Sequence, residues 1–169
     1  MKQLLISMFM ISLVAGCSLF DDTPTIEVSE DPVIITIPMA QQMDDPDFNL
    51  ETYAKQQGFD EVVVDADSQT MTVVFNGKNY ATYYRKHRRE LDDQLEAMPY
   101  VTAIEASTYY ETVSIEVDKA GYEKDRIQSL ATPIMLFQIQ LGKKVASNMT
   151  IIDKETQTVL DDIKMPEGL

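Results

Sequence analysis

Between Val62 and Tyr122 the chain runs through one pattern twice. Val62–Tyr80 lies over Ile104–Tyr122 at a constant offset of 42 positions, so that Thr70-Met71-Thr72-Val73-Val74-Phe75-Asn76 matches Thr112-Val113-Ser114-Ile115-Glu116-Val117-Asp118. Met71, Val73 and Phe75 point one way and Thr70, Thr72 and Val74 the other; Val113, Ile115 and Val117 oppose Thr112, Ser114 and Glu116 in the same manner. A period of two over six residues predicts strands with one buried and one wetter face. A third, partial copy with the same strand–turn–strand form runs from Ile151 to Val159. The expected order is a first strand, Val33–Ile37, followed by helix and hairpin three times over. Helices are expected near 47–57, 78–97 and 120–142, and strands near 61–65, 70–75, 101–106, 111–117, 149–153 and 157–163. This predicts an α+β fold: one domain over 33–164, with three helices packed on one face of a mainly antiparallel sheet and the helix–hairpin unit repeated. Identity between the copies is low, which leaves shared architecture and duplication both open.

The helices carry their own signals. Asp45 is placed to cap the first, with Pro46 at its first position and Asp47 near the positive end of the dipole. Tyr80, Tyr84, His87, Leu91, Leu95 and Met98 recur at steps of three and four and form one apolar stripe on the second. In the third, Thr132-Pro133 predicts a kink or a restart, Ile134–Leu141 is apolar enough to be core, and Gly142 suits the end of the helix.

Upstream of the domain, Leu4–Ala15 is an apolar run broken only by Ser7 and Ser12. It is too short to cross a hydrocarbon core, which takes about 20 residues, and has the length of a secretory signal core. It ends in Leu13-Val14-Ala15-Gly16-Cys17, which resembles a bacterial lipobox, and Cys17 is the sole cysteine of the chain. The expectation is a signal peptide at 1–16 and a diacylated Cys17 that anchors the chain to a membrane through its lipid. Ser18 after the cysteine points to the outer membrane if the cell is Gram-negative; otherwise the location is the extracytoplasmic face of the cell membrane. Residues 17–32 have no basic side chain and read as an extended acidic tether that anionic headgroups repel.

Charge narrows the function classes. With 14 basic against 28 acidic side chains the formal net charge is −14, which excludes a nucleic-acid partner held by phosphate contacts. One cysteine permits no disulfide framework and no cysteine-based zinc site. No metal-ligand spacing appears among the acids, and no cofactor is implied. Val62-Val63-Val64-Asp65-Ala66-Asp67 has the outline of the aspartate motif of haloacid-dehalogenase-type phosphatases. Gln69, however, stands where that motif has Thr or Val, and a strand starts at once at Thr70. Asp and Ser in a hairpin turn explain the run without chemistry.

Two clusters remain as candidate recognition residues. Arg85-Lys86-His87-Arg88-Arg89 either clamps an anion such as a phosphate-bearing envelope polymer or is a solvated helix laced by Lys86–Glu90, Arg88–Asp92 and Arg89–Asp93 pairs. His87, inside the stripe, reads as packed imidazole rather than as a catalytic base. Tyr109-Tyr110, beside the Ser107-Thr108 turn, either stands at a hairpin tip, where tyrosines suit glycan or protein contact, or packs on the neighbouring loop. The candidate patch is therefore Arg85, His87, Arg88 and Arg89, with Tyr109 and Tyr110.

The mature chain resembles a family of small lipoproteins of Gram-positive bacteria, some labelled antigen I/II N-terminal domain-containing. The likeness rests on the lipobox, Val33-Ile34-Ile35-Thr36-Ile37-Pro38 before an acidic helix start, Leu50-x-x-Tyr53-Ala54-Lys55-Gln56-Gln57-Gly58, and Lys86-His87-Arg88. It continues in Tyr100-Val101-x-x-Ile104-Glu105, Val113-Ser114-Ile115-Glu116-Val117-Asp118-Lys119 and Asp153-x-Glu155-Thr156. Pro133 departs from it, where the likeness implies an unbroken helix of small residues. The resemblance implies location and fold; the size, repeats and wall-anchoring signal of an adhesin are absent from this sequence. The functional expectation is a non-catalytic binding or assembly module for an envelope component, polymer or protein. The alternative is an envelope-modifying hydrolase.

Overall fold

A computed structural model describes residues 26–39, 47–123 and 126–166. The expected leader, Cys17, the tether up to residue 25 and the Asp45-Pro46 helix start lie outside them. Strand β1 is Val33–Pro38, helix α1 Leu50–Gln57, and the first hairpin β2 Glu61–Asp65 with β3 Thr70–Phe75. Helix α2, Gly77–Glu96, leads to the hairpin β4 Val101–Ala106 with β5 Thr112–Val117. Helix α3, Ile127–Gln140, leads to β6 Ser147–Asp153 and β7 Val159–Met165.

The α+β class holds, and the strands divide into two sheets. One has the order β1-β3-β2 and is antiparallel throughout; the other has the order β4-β5-β6-β7, with β5 and β6 parallel. The parallel pair places α3 as the crossover that such a pair requires. The offset of 42 holds at the level of burial: Met71, Val73 and Phe75 in β3, and Val113, Ile115 and Val117 in β5, all lie in the core. One hydrophobic cluster joins the inner faces of both sheets to α2 and α3. Helix α2 touches β3, β4 and α3, and α3 also touches β1. Among the described residues no helix is long and apolar enough to cross a membrane.

The helix ends correct the expected boundaries. Asn49 caps α1, its Oδ1 accepting from the Thr52 N–H at 2.8 Å, so the helix begins at Leu50. Asn76 caps α2 in the same way by accepting from Asn79 N–H, and is itself held by Asp60. The counterpart of Asn76, Asp118, does not start a helix. Its side chain accepts from Ala120 N–H and its carbonyl from Gly121 and Tyr122, a tight turn that delays α3 to Ile127. Helix α3 then runs through Pro133 as one element and does not restart there, with Leu130, Ala131, Pro133, Ile134, Phe137 and Gln138 buried. It closes in a Schellman motif: Gly142 N–H reaches Ile139 O and Lys143 N–H reaches Gln138 O. Gly142 has φ 65°, and a Cβ there would fall 2.7 Å from Ile35 Cβ of β1, so only glycine fits.

The stripe on α2 is as expected: Tyr80, Tyr84, Leu91 and Leu95 are buried, and His87 and Met98 partly so. Tyr83 and Arg88 are buried beside them. The first and third hairpin turns share one chemistry. Asp65 Oδ1 accepts from the N–H groups of Asp67 and Ser68, Ser68 Oγ meets Thr70 Oγ1 at 2.8 Å, and Gln69 takes the left-handed φ of 52°. Asp153 accepts from Glu155 N–H and Thr156 Oγ1, Thr156 meets Thr158 at 2.8 Å, and Gln157 has φ 55°. Hydrogen bonds from Ser68 and from Thr156 hold these two carboxyls below the usual carboxylate range. Asp65 is thus a turn residue, as the hairpin reading expects.

Candidate functional site

The six expected recognition residues separate into a buried anchor and an open surface. Arg88 is 5% exposed. Its Nε donates to both carboxylate oxygens of Asp92 at 3.0 and 3.2 Å, and its Nη1 donates to Ser107 O at 2.9 Å and Thr108 O at 3.3 Å. The guanidinium carbon stands 4.2 Å from the centre of the Tyr110 ring, and the Tyr110 hydroxyl donates to Asp92. Burial, and next the Asp92 hydrogen bond, push the Tyr110 phenol far above its ordinary range. Arg88 and Tyr110 are therefore spent inside the molecule. This corrects their expected place in a recognition patch, because a buried guanidinium already paired with Asp92 presents almost no surface outward.

This anchor pins the turn at 107–111. Tyr84 OH donates to Thr108 O at 2.7 Å, and Gln138 Nε2, from α3, donates to Tyr109 O and Ala146 O, both at 2.9 Å. Three successive turn carbonyls thus accept from side chains of two helices. Tyr110 is held at φ 57°, a left-handed conformation that a buried aromatic keeps only when its surroundings impose it. Asp92, Tyr84 and Gln138 were not among the expected site residues. The spacing Tyr84–Arg88–Leu91–Leu95 is the signal that puts Arg88 on the buried stripe and makes Asp92, four residues on, its partner.

The other patch residues lie apart. Arg85 and Arg89 are exposed, and Arg85 Nε donates to Ala81 O of its own helix at 3.2 Å. Lys86 reaches Gln57 Oε1 at 3.1 Å rather than Glu90. Glu90 instead accepts from His87 Nδ1 at 3.0 Å. The imidazole stands edge-on to the Tyr83 ring at 4.3 Å, and its Nε2 is buried with no hydrogen-bond partner among the described residues. Burial pulls the His87 pKa below 6.5, while Glu90 opposes the shift and Lys86 adds to it.

Tyr109 is only partly buried, unlike Tyr110. It lines a recess of about 510 Å³ with Tyr80, Thr108, Val33 and Lys143, and with Ile26, Glu27 and Ser29 of the segment before β1. Lys143 Nζ lies 4.2 Å above the Tyr109 ring, a cation–π contact that holds the ammonium at the rim. Tyr84 meets the same ring at 5.8 Å, edge to face. Burial first, then the charge and hydrogen bond of Tyr109, raise the Tyr80 phenol far above its usual range. The segment expected to be free tether is seated here. Ile26 packs against the core, and Ser29 passes so close to Gly77 that a Cβ there would coincide with the Ser29 carbonyl. Sequence reading placed none of Ile26, Glu27, Ser29 or Lys143 in a site.

Among the described residues no group of three or more His, Cys, Asp or Glu side chains is placed to hold a metal ion. Compared with protein-family models, with curated proteins and with solved structures, the chain matches none.

Proposed function

We propose that this protein is a membrane-anchored extracytoplasmic lipoprotein, diacylated at Cys17, that serves as a non-catalytic binding or assembly module for an envelope component. The observation that supports the binding role is the recess at Tyr109. It has the size of a ligand site, for which about 300–1,000 Å³ is usual, and its walls mix aromatic, apolar and charged groups. Its lining includes Ile26, only nine residues beyond Cys17. A chain of that length reaches at most about 30 Å, so the recess stays close to the lipid anchor. The turn that carries Tyr109 is fixed by α2 and α3, which suits presentation of a rigid surface. The resemblance to Gram-positive lipoproteins supports the same location.

The test has two arms. Labelling cells with a palmitate analogue should mark the wild-type protein and not Cys17→Ala; equal labelling of both refutes the anchor. The lipoprotein purified in detergent should capture the same envelope component repeatedly from an envelope extract. Turnover of wall fragments or lipids by the purified protein would replace the binding reading with that of an envelope-modifying hydrolase.

A further inference from the structure

The recess carries two opposite charges that do not neutralise each other. Lys143 stands on the Tyr109 ring, and Glu27, on the segment before β1, lines the same recess. Both are exposed, and among the described residues they make no ion pair with each other. Ile26, Val33 and the buried Tyr80 line the recess with them and give it an apolar and aromatic surface. From these features we infer that the recess binds a short peptide whose amino and carboxylate ends are both free. This inference rests on the binding reading above and names its ligand class.

The argument is one of charge and size. A ligand that carries only negative charge meets Glu27 and a chain of formal net charge −14, whereas one that carries only positive charge meets Lys143. A zwitterion satisfies both charges. Its carboxylate accepts from the Lys143 ammonium and its ammonium donates to the Glu27 carboxylate, each a charge-assisted hydrogen bond. Cation–π contact with Tyr109 restrains the Lys143 side chain in advance, so less freedom is lost when the carboxylate arrives. The apolar lining takes small apolar side chains. A volume of about 510 Å³ has room for two or three residues. Each free end recognises one charge, so a longer polymer with blocked or distant ends loses one contact or both.

The probe is alanyl-alanine, titrated into the full-length lipoprotein in detergent and followed by calorimetry, beside its N-acetyl and its C-terminal amide forms. The free dipeptide should bind saturably, and blocking either end should weaken binding about tenfold. In Lys143→Ala the amide should bind as well as the free dipeptide, because the partner of the carboxylate is gone. In Glu27→Gln the N-acetyl form should lose its disadvantage. Both substitutions are at exposed positions and leave the fold intact. No saturable binding up to about 10 mM, a regime with almost no affinity, overturns the inference, as does equal binding by both variants and wild type. If the dipeptide fails while the envelope extract still yields a captured component, the ligand class is wrong and the binding function stands. Failure of both removes the function as well.

Discussion

The turn at 65–70 and the turn at 107–112 occupy the same place in two hairpins 42 positions apart, and they close by opposite means. In the first, short polar side chains satisfy the turn from within: Asp65 takes the N–H groups of Asp67 and Ser68, and the hydroxyls of Ser68 and Thr70 meet. The third hairpin repeats this with Asp153, Thr156 and Thr158. The second keeps only Ser107, whose Oγ accepts from Thr112 N–H. Its carbonyls are satisfied from outside, by Arg88, Tyr84 and Gln138, and its tyrosines divide between the interior and the recess. A turn closed by its own side chains does not rely on the helices. A turn closed by two helices becomes part of their packing and can hold an aromatic wall in place. The copy that departs from the repeat is the one that builds the candidate site.

Exchange of turns is the most direct way to break this comparison. Replacing residues 107–112 by a copy of residues 65–70 removes the buried Tyr110 and the wall at Tyr109, and should cost about 4 kcal/mol in urea unfolding. Exchanging residues 65–70 with residues 153–158 should leave the unfolding midpoint unchanged. Equal losses in the two exchanges would show that the turns are not different in kind. Arg88→Ala tests the anchor alone. It takes a partner from Asp92 and from the carbonyls of Ser107 and Thr108 and should cost about 3 kcal/mol, whereas Arg85→Ala, on the exposed side, should stay within about 0.5 kcal/mol.

The smallest effect sharpens the contrast between two neighbours on α2. His87 is not tied to the turn, and its pKa lies below 6.5 in the folded state. Across the window from 6.5 down to that lowered value the unfolded chain binds more protons, so stability rises with pH. The contribution is present above 6.5 and is lost as pH falls. Urea unfolding at about pH 7.5 and about pH 5.5, on either side of the ordinary histidine pKa, should show a smaller acid loss for His87→Phe than for wild type. The groups that face the imidazole, Glu90, Lys86 and Tyr83, are unchanged in that variant.

Where the sequence carried periodic information, the fold was legible. The period-two strands predicted which residues of β3 and β5 are buried, and the three-and-four spacing on α2 predicted its inner face. Pairing between distant strands has no such local signature, so the division into two sheets and the parallel contact of β5 with β6 were not foreseen. Proline read locally predicted a kink or a restart in α3; the helix does not restart, because packing on both sides of Pro133 outweighed the lost hydrogen bond. The candidate site was legible only in part. Tyr109 and Tyr110 were singled out as a pair, but neighbours on a turn need not share a side, and only the partners supplied by α2 and α3 decide which points inward. Arg88 looked like one of several surface cations because its charge weighed more in that reading than its position on the stripe. Glu27 and Lys143 are 116 positions apart and meet at one recess only through the fold.

The seat of Ser29 on Gly77 bears on mechanics. A chain held by an anchor upstream of Ile26 transmits any pull on the domain along the segment Ile26–Ser29 before it reaches β1. The first resistance is offered by Ile26, packed against the core, and by the close contact of the Ser29 backbone with the first turn of α2. Tension is thus passed into the longest helix, while the hydrogen bonds of β1, an edge strand that would otherwise peel away one rung at a time, are shielded from it. The same segment lines the recess, so a pull from upstream and an occupant of the recess would act on one piece of backbone.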